Sequence, residues 1–235
     1  MSYGDKFMHI LICRMALHLR LACIVMASCL ASGAASAATT TQLTAFFRSV
    51  QVDDVTTVRD MLAAGSVSAN AVNPVSGETG LIVALREGAP RVAAVLLADP
   101  GIELELTAPN GNTALMMAAF KHEMSAVRTL LAKGARVNRP GWSALHFAAA
   151  SGDDAITELL LKHHAAIDAE APAKFTPLMI AAREGHESTV RLLLAKGANA
   201  SLKNAEAMNA AQIAERADKP LIAAAIAAHR AARNK

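Results

Sequence analysis

Phe175–Ala200 reads FTPLMIAAREGHESTVRLLLAKGANA. Its parts have separable physical jobs. Thr176 offers a side-chain oxygen to an orphan backbone N–H at a helix start, and Pro177 stands where a helix tolerates proline best. Ala181-Ala182 lets a neighbouring helix approach closely. A turn follows, and then a second helix carrying Leu192-Leu193-Leu194. Gly197 can take the left-handed conformation that ends a helix.

The same unit recurs. Thr79-Gly80-Leu81, Thr113-Ala114-Leu115 and Ser143-Ala144-Leu145-His146 precede it in phase, and a degenerate Asn209-Ala210-Ala211 follows. The third members fall at 81, 115, 145, 178 and 211, giving gaps of 34, 30, 33 and 33. Apolar runs at Val95-Leu96-Leu97, Leu130-Leu131 and Leu159-Leu160-Leu161 keep the same register. Most runs end at glycine, namely Gly65, Gly101, Gly134 and Gly197. One such unit cannot bury its own apolar face, so the units must stack.

This pattern resembles the ankyrin repeat over about residues 41–230. Thr176-Pro177-Leu178, Ala181-Ala182, Gly185-His186, Leu192-Leu193-Leu194 and Gly197-Ala198 match it almost position for position. The resemblance implies an all-α solenoid of five to six helix-turn-helix units with short finger loops. The expected units are a cap repeat at 41–70, repeats at 71–104, 105–137, 138–167 and 168–201, and a C-terminal cap at 202–230. Phe46–Ala64 reads as the irregular first cap, and Leu221–Arg230 as a last helix polar on its outer side. Asn138–Gly141 is three residues short, which predicts a stunted finger, and Asp99-Pro100-Gly101 carries one residue extra. His164 fills the closing-glycine slot, where a left-handed conformation would strain a non-glycine residue, and His122 the inter-helix glycine slot.

Hydrophobic residues make up 53% of the chain but aromatics only 3%, which favours closely spaced helices over a sheet. The N-terminal segment accounts for much of the net charge of +3. Beyond residue 37 there remain 20 basic and 19 acidic side chains, a balance with no footprint for nucleic acid or an anionic membrane. Residues 1–37 read as a secretory signal peptide. Arg14 and Arg20 precede the apolar run Leu21–Ala31, which is short for a membrane span, and Ala35-Ser36-Ala37 offers a small-x-small cleavage site before Ala38. Met15 would give a leader of more ordinary length than Met1. The rivals are an uncleaved anchor and lipidation at Cys29, where Met26-Ala27-Ser28-Cys29 loosely resembles a lipobox. All three cysteines (Cys13, Cys23 and Cys29) would leave with the leader, which suits an oxidising compartment. The expectation is export to the periplasm of a Gram-negative bacterium, or secretion beyond it, with no membrane span after cleavage.

No enzyme chemistry is legible. Nothing matches a phosphate-cradling glycine loop, no serine lies in a strand-to-helix elbow, and a chain without its leader would carry no thiol for catalysis or zinc. No cofactor is expected. His146 and His186 occupy structural histidine slots of the repeat, and His163-His164 a surface turn. Met116, Met117, His122 and Met124 form the only soft-ligand cluster, the basis of an alternative copper-handling reading.

In ankyrin proteins ligands meet the concave side, made by fingers and first-helix residues. The resemblance carries those slots onto Glu78, Val83 and Arg86; Asn112, Met117 and Phe120; Trp142, Phe147 and Ala150; and Phe175, Ile180 and Arg183. The single Trp and three of the five Phe beyond the leader fall there, which predicts a protein-binding surface on a monomeric module. A secreted effector binding host proteins is the other form of that reading.

Overall fold

The structure, a computed structural model, describes residues 38–233; the expected leader lies outside the described residues. Twelve α-helices follow in pairs. The first pair is α1 (Thr40–Gln51) and α2 (Val55–Ala63), followed by α3 (Gly80–Glu87) with α4 (Pro90–Ala98) and α5 (Ala114–Phe120) with α6 (Met124–Ala132). Then come α7 (Ala144–Ser151) with α8 (Asp154–Lys162), α9 (Pro177–Glu184) with α10 (Glu187–Ala195), and α11 (Ala210–Arg216) with α12 (Pro220–Arg233). No strand forms among the described residues; the fingers contribute only isolated antiparallel bridges, Val72 with Thr79 and Thr107 with Thr113. The fold is the all-α repeat solenoid expected.

Five of the six first helices begin at the predicted cap, and α1 begins at its own cap, Thr39. Thr79, Thr113, Thr176 and Asn209 accept hydrogen bonds from the backbone N–H three residues on. First helices stack on first helices, α1 to α3 and so on to α11, while second helices stack in their own row, as α2 on α4 and α8 on α10. Each second helix sends its leucines inward: Leu96, Leu130, Leu160 and Leu193 are all fully buried. The buried apolar side chains form two clusters. One runs from Phe46 to Ala165 and the other from Ala149 to Ile226; Leu161, half-buried, packs against both.

The turn between paired helices is left-handed in every unit, at Asp53, Gly88, His122, Gly152, Gly185 and Asp218. At Gly152 (φ 75°) a side chain is excluded twice over, since a Cβ would also fall on the His186 ring. His186 Nε2–H donates to the Ala150 carbonyl of the preceding unit at 3.0 Å. Asp53 works across units too. Its carboxylate accepts from the Val92 N–H (2.8 Å) and from Arg91, supplying the cap that α4 lacks. Burial alone would raise the Asp53 pKa, but these bonds outweigh it and hold the carboxyl below its ordinary range.

A second ladder joins the loops after the second helices. Asn70, Glu105, Asn138 and Asp168 accept from the N–H of Glu103, Arg136, Ala166 and Asn199 in the next unit. His164 is left-handed, at φ 63°, as its slot requires. Gly101 departs from expectation. It is not at positive φ, because α4 ends in an extended Asp99 whose Oδ1 accepts from the Gly101 N–H at 2.8 Å. Pro100 has no N–H for the usual helix-ending bond, so an Asx turn replaces it. The outer side of α12 also differs from the polar surface expected: Leu221 is 77% exposed, beside exposed alanines such as Ala224 and Ala228.

Candidate functional site: an aromatic strip on the finger face

The first helices and the fingers before them place the predicted side chains on one side of the stack. The slot three residues before each consensus leucine holds Glu78, Asn112, Trp142 and Phe175; the slot five residues after it holds Arg86, Phe120, Ala150 and Arg183. Phe120 is 44% exposed and Trp142 37%. Phe147, half-buried, joins them. Its ring centroid lies 6.1 Å from that of Phe120 and 6.1 Å from that of Trp142, both edge to face. Such contacts suit the negative faces and positive edges of aromatic rings. Phe120 belongs to one repeat and Trp142 and Phe147 to the next, so the strip crosses a repeat boundary.

Trp142 is held from below. Its indole stands edge-on to His146 at 5.5 Å. His146 is fully buried, and its Nδ1 accepts from the Ser143 N–H at 3.2 Å. That leaves Nε2–H to donate to the carbonyls of Ala169 (3.0 Å) and Phe175 (3.1 Å). One neutral imidazole thus ties the Trp142 helix start to the next finger. Burial pushes its pKa below the ordinary 6.5, and the two carbonyls offset this only in part.

The next finger turns at Pro172–Lys174, where Ala173 and Lys174 are both left-handed. Phe175 emerges half-buried with the Arg183 guanidinium 5.4 Å from its ring centroid, a cation–π contact. At the other end, Arg86 lies 3.0 Å from the buried Glu78 carboxylate and 2.9 Å from Glu87. Asn112 is half-buried between these groups in the slot order.

Four expected face residues lie beneath the surface instead. Glu78, 8% exposed, is drawn in under Arg86, and of the apolar three Val83 is fully buried, Ile180 is 1% exposed and Met117 9%. Val83, Met117 and Ile180 share one slot with Phe147, two residues past the consensus leucine. A Val, Ile or Met side chain fits within that slot, whereas the Phe147 ring extends beyond it to Phe120 and Trp142. The cation–π contact and the His146 support were not legible in the sequence, since both depend on how the following finger folds back.

Two of the four soft-ligand side chains are already bonded elsewhere. Met116 is buried, with its sulfur accepting from the Thr113 N–H at 3.5 Å, and His122 pairs with Asp153 at 3.0 Å. Among the described residues no group of three His, Cys, Asp or Glu is placed to hold a metal. No described helix is long and apolar enough to cross a membrane.

The family model described as Ankyrin repeats (3 copies) matches residues 46–141, 81–173 and 138–204. The chain belongs to the ankyrin-repeat family. Protein glp-1 of Caenorhabditis elegans is 32% identical over 141 residues, 53% of this chain and 11% of that protein. Protein fem-1 homolog A-like of Mus musculus is 36% identical over 102 residues, 42% of this chain and 15% of that protein. The human SH3 and multiple ankyrin repeat domains protein 2 is 32% identical over 145 residues, 60% and 8% respectively. The chain therefore spans a small part of the length of these relatives.

Proposed function

We propose that this ankyrin chain is an exported binding module that holds a protein partner on its finger face and catalyses no reaction. The observation that carries the reading is the aromatic strip. Aromatics are scarce in the chain, and yet Phe120, Phe147 and Trp142 meet edge to face with two of the three well exposed. Exposed, rigid aromatic side chains in contact are the composition of a binding hot spot. Arg183 over Phe175 and Arg86 with Glu78 supply a polar rim. Ankyrin-repeat membership supports a protein partner, and the Met/His copper alternative gains no support from Met116 and Met117, whose thioethers are buried in the core.

Truncating a buried aromatic anchor costs about 2 kcal/mol or more of binding energy, which is roughly thirtyfold in affinity. Trp142→Ala should therefore weaken partner capture at least that much with only a modest change in melting temperature. Unfolding with affinity spared would move the site elsewhere. Export is part of the same proposal, to the periplasm or beyond it, with the leader removed before Ala38. Mass spectrometry of the exported chain should find Ala38 at its N-terminus; an intact leader or a lipid on Cys29 would refute cleavage there.

A further inference from the structure

The aromatic strip is framed by charge that the chain does not itself neutralise. The arginines of the finger face are engaged by acidic neighbours: Arg86 by Glu78 and Glu87, Arg139 by Glu105, Arg183 by Glu184, and Arg216 by Glu206. The lysines are not. Lys121 directly follows Phe120 at the end of α5, and Lys174 directly precedes Phe175 in the finger turn. Both are exposed, and neither forms an ion pair among the described residues. Glu170, at the base of the same finger, likewise has no ion pair among the described residues, and neither has Lys203 in the corresponding place one finger on.

From this arrangement we propose that the partner presents an apolar segment flanked on both sides by carboxylates, its apolar centre on Trp142 and Phe147 and its acidic ends on Lys121 and Lys174. The inference rests on the protein-binding reading above and adds the partner's chemistry to it. Spacing narrows it further. Lys121 and Lys174 belong to units two steps apart, at opposite ends of their first helices; packed helices lie about 8–10 Å apart and a seven-residue helix adds an axial offset of about 10 Å, so the acidic groups must span roughly 19–22 Å. An extended segment covers that distance in about six or seven residues, and a helix in about thirteen to fifteen. Uncompensated cations around an apolar centre select partners by sign, since a partner with lysines in those places meets like charge.

The test uses three fluorescein-labelled peptides sharing one six-residue Leu/Phe centre, flanked on both sides by Glu-Glu, Ser-Ser or Lys-Lys. Each is titrated into the full-length chain at low salt and followed by anisotropy. Emission from Trp142, the chain's one Trp, gives a second signal at the site itself. The Glu-flanked peptide should bind at least tenfold tighter than the Ser-flanked one, and the Lys-flanked peptide more weakly than either. The preference should shrink as salt is added. The double variant Lys121→Glu/Lys174→Glu should reverse the order. Equal binding of all three peptides, with all three lost in Trp142→Ala, would overturn the acidic partner while leaving the aromatic site in place. A preference for Glu that survives the double variant would overturn the role of these two lysines. No binding by any peptide would overturn both the partner chemistry and the site.

Discussion

Thr157 offers the sharpest test of the repeat register. Its side chain is fully buried in α8, and its hydroxyl has no hydrogen-bond partner. The equivalent positions in the other second helices are Val58, Ala93, Val127, Val190 and Ala223, all buried and all apolar. Thr157→Val keeps the shape, replaces the hydroxyl with a methyl, and leaves helix propensity almost unchanged. A buried polar group without a partner costs about 1–3 kcal/mol, so the substitution should stabilise the chain by about that amount. For a domain of this size each kcal/mol moves the melting temperature by about 2–4 °C. Thermal and urea unfolding followed by circular dichroism would measure it, beside two companions. Thr157→Ala removes the hydroxyl and a buried methyl together, so it should fall below Val, and Thr157→Ser should fall below wild type. If Thr157→Val melts at or below the wild-type temperature, the hydroxyl has a partner, and the register that places it among valines is wrong.

Leu193 is fully buried in the second-helix row, and Leu193→Ala should cost about 2–5 kcal/mol through lost burial and the residual cavity, measured by urea denaturation. His164→Gly should be neutral or stabilising, by up to about 1 kcal/mol, because glycine relieves the left-handed strain at φ 63° while adding freedom to the unfolded chain; clear destabilisation in the same assay would contradict this. His146 sets a pH dependence. Its folded pKa lies below the ordinary 6.5, so its contribution is whole above about that value. As pH falls below 6.5 the unfolded chain takes up a proton that the folded chain resists, and stability drops. His146→Gln should flatten that part of a stability-against-pH curve; an identical slope would assign the effect to other groups.

The fold was legible because the repeat writes one physical requirement into one position, unit after unit. Thr79, Thr113 and Thr176 cap because the orphan N–H groups of a helix start need an oxygen, and Leu96, Leu130, Leu160 and Leu193 are buried because units must stack. The exceptions lie where a neighbour outside the unit decides. Gly101 is not left-handed because Pro100 deprives the turn of its N–H. Val83, Met117 and Ile180 share a slot with Phe147, and only the length of the Phe ring separates surface from core there. Exposure of Phe120 and Trp142 followed from slot position, but the His146 bonds to Ala169 and Phe175 needed the next finger in place.

The boundary between the fourth and fifth units is tied from both sides: His146 reaches forward to the Ala169 and Phe175 carbonyls, and His186 reaches back to that of Ala150. In a solenoid each unit leans only on its neighbours, so such ties decide whether adjoining units open together or singly. Phe120, Phe147 and Trp142 belong to units before this boundary, while Phe175 and Arg183 lie in the unit just beyond. A partner touching both sets of residues would act as a splint, adding its own hold across a joint that otherwise depends on nearest neighbours alone.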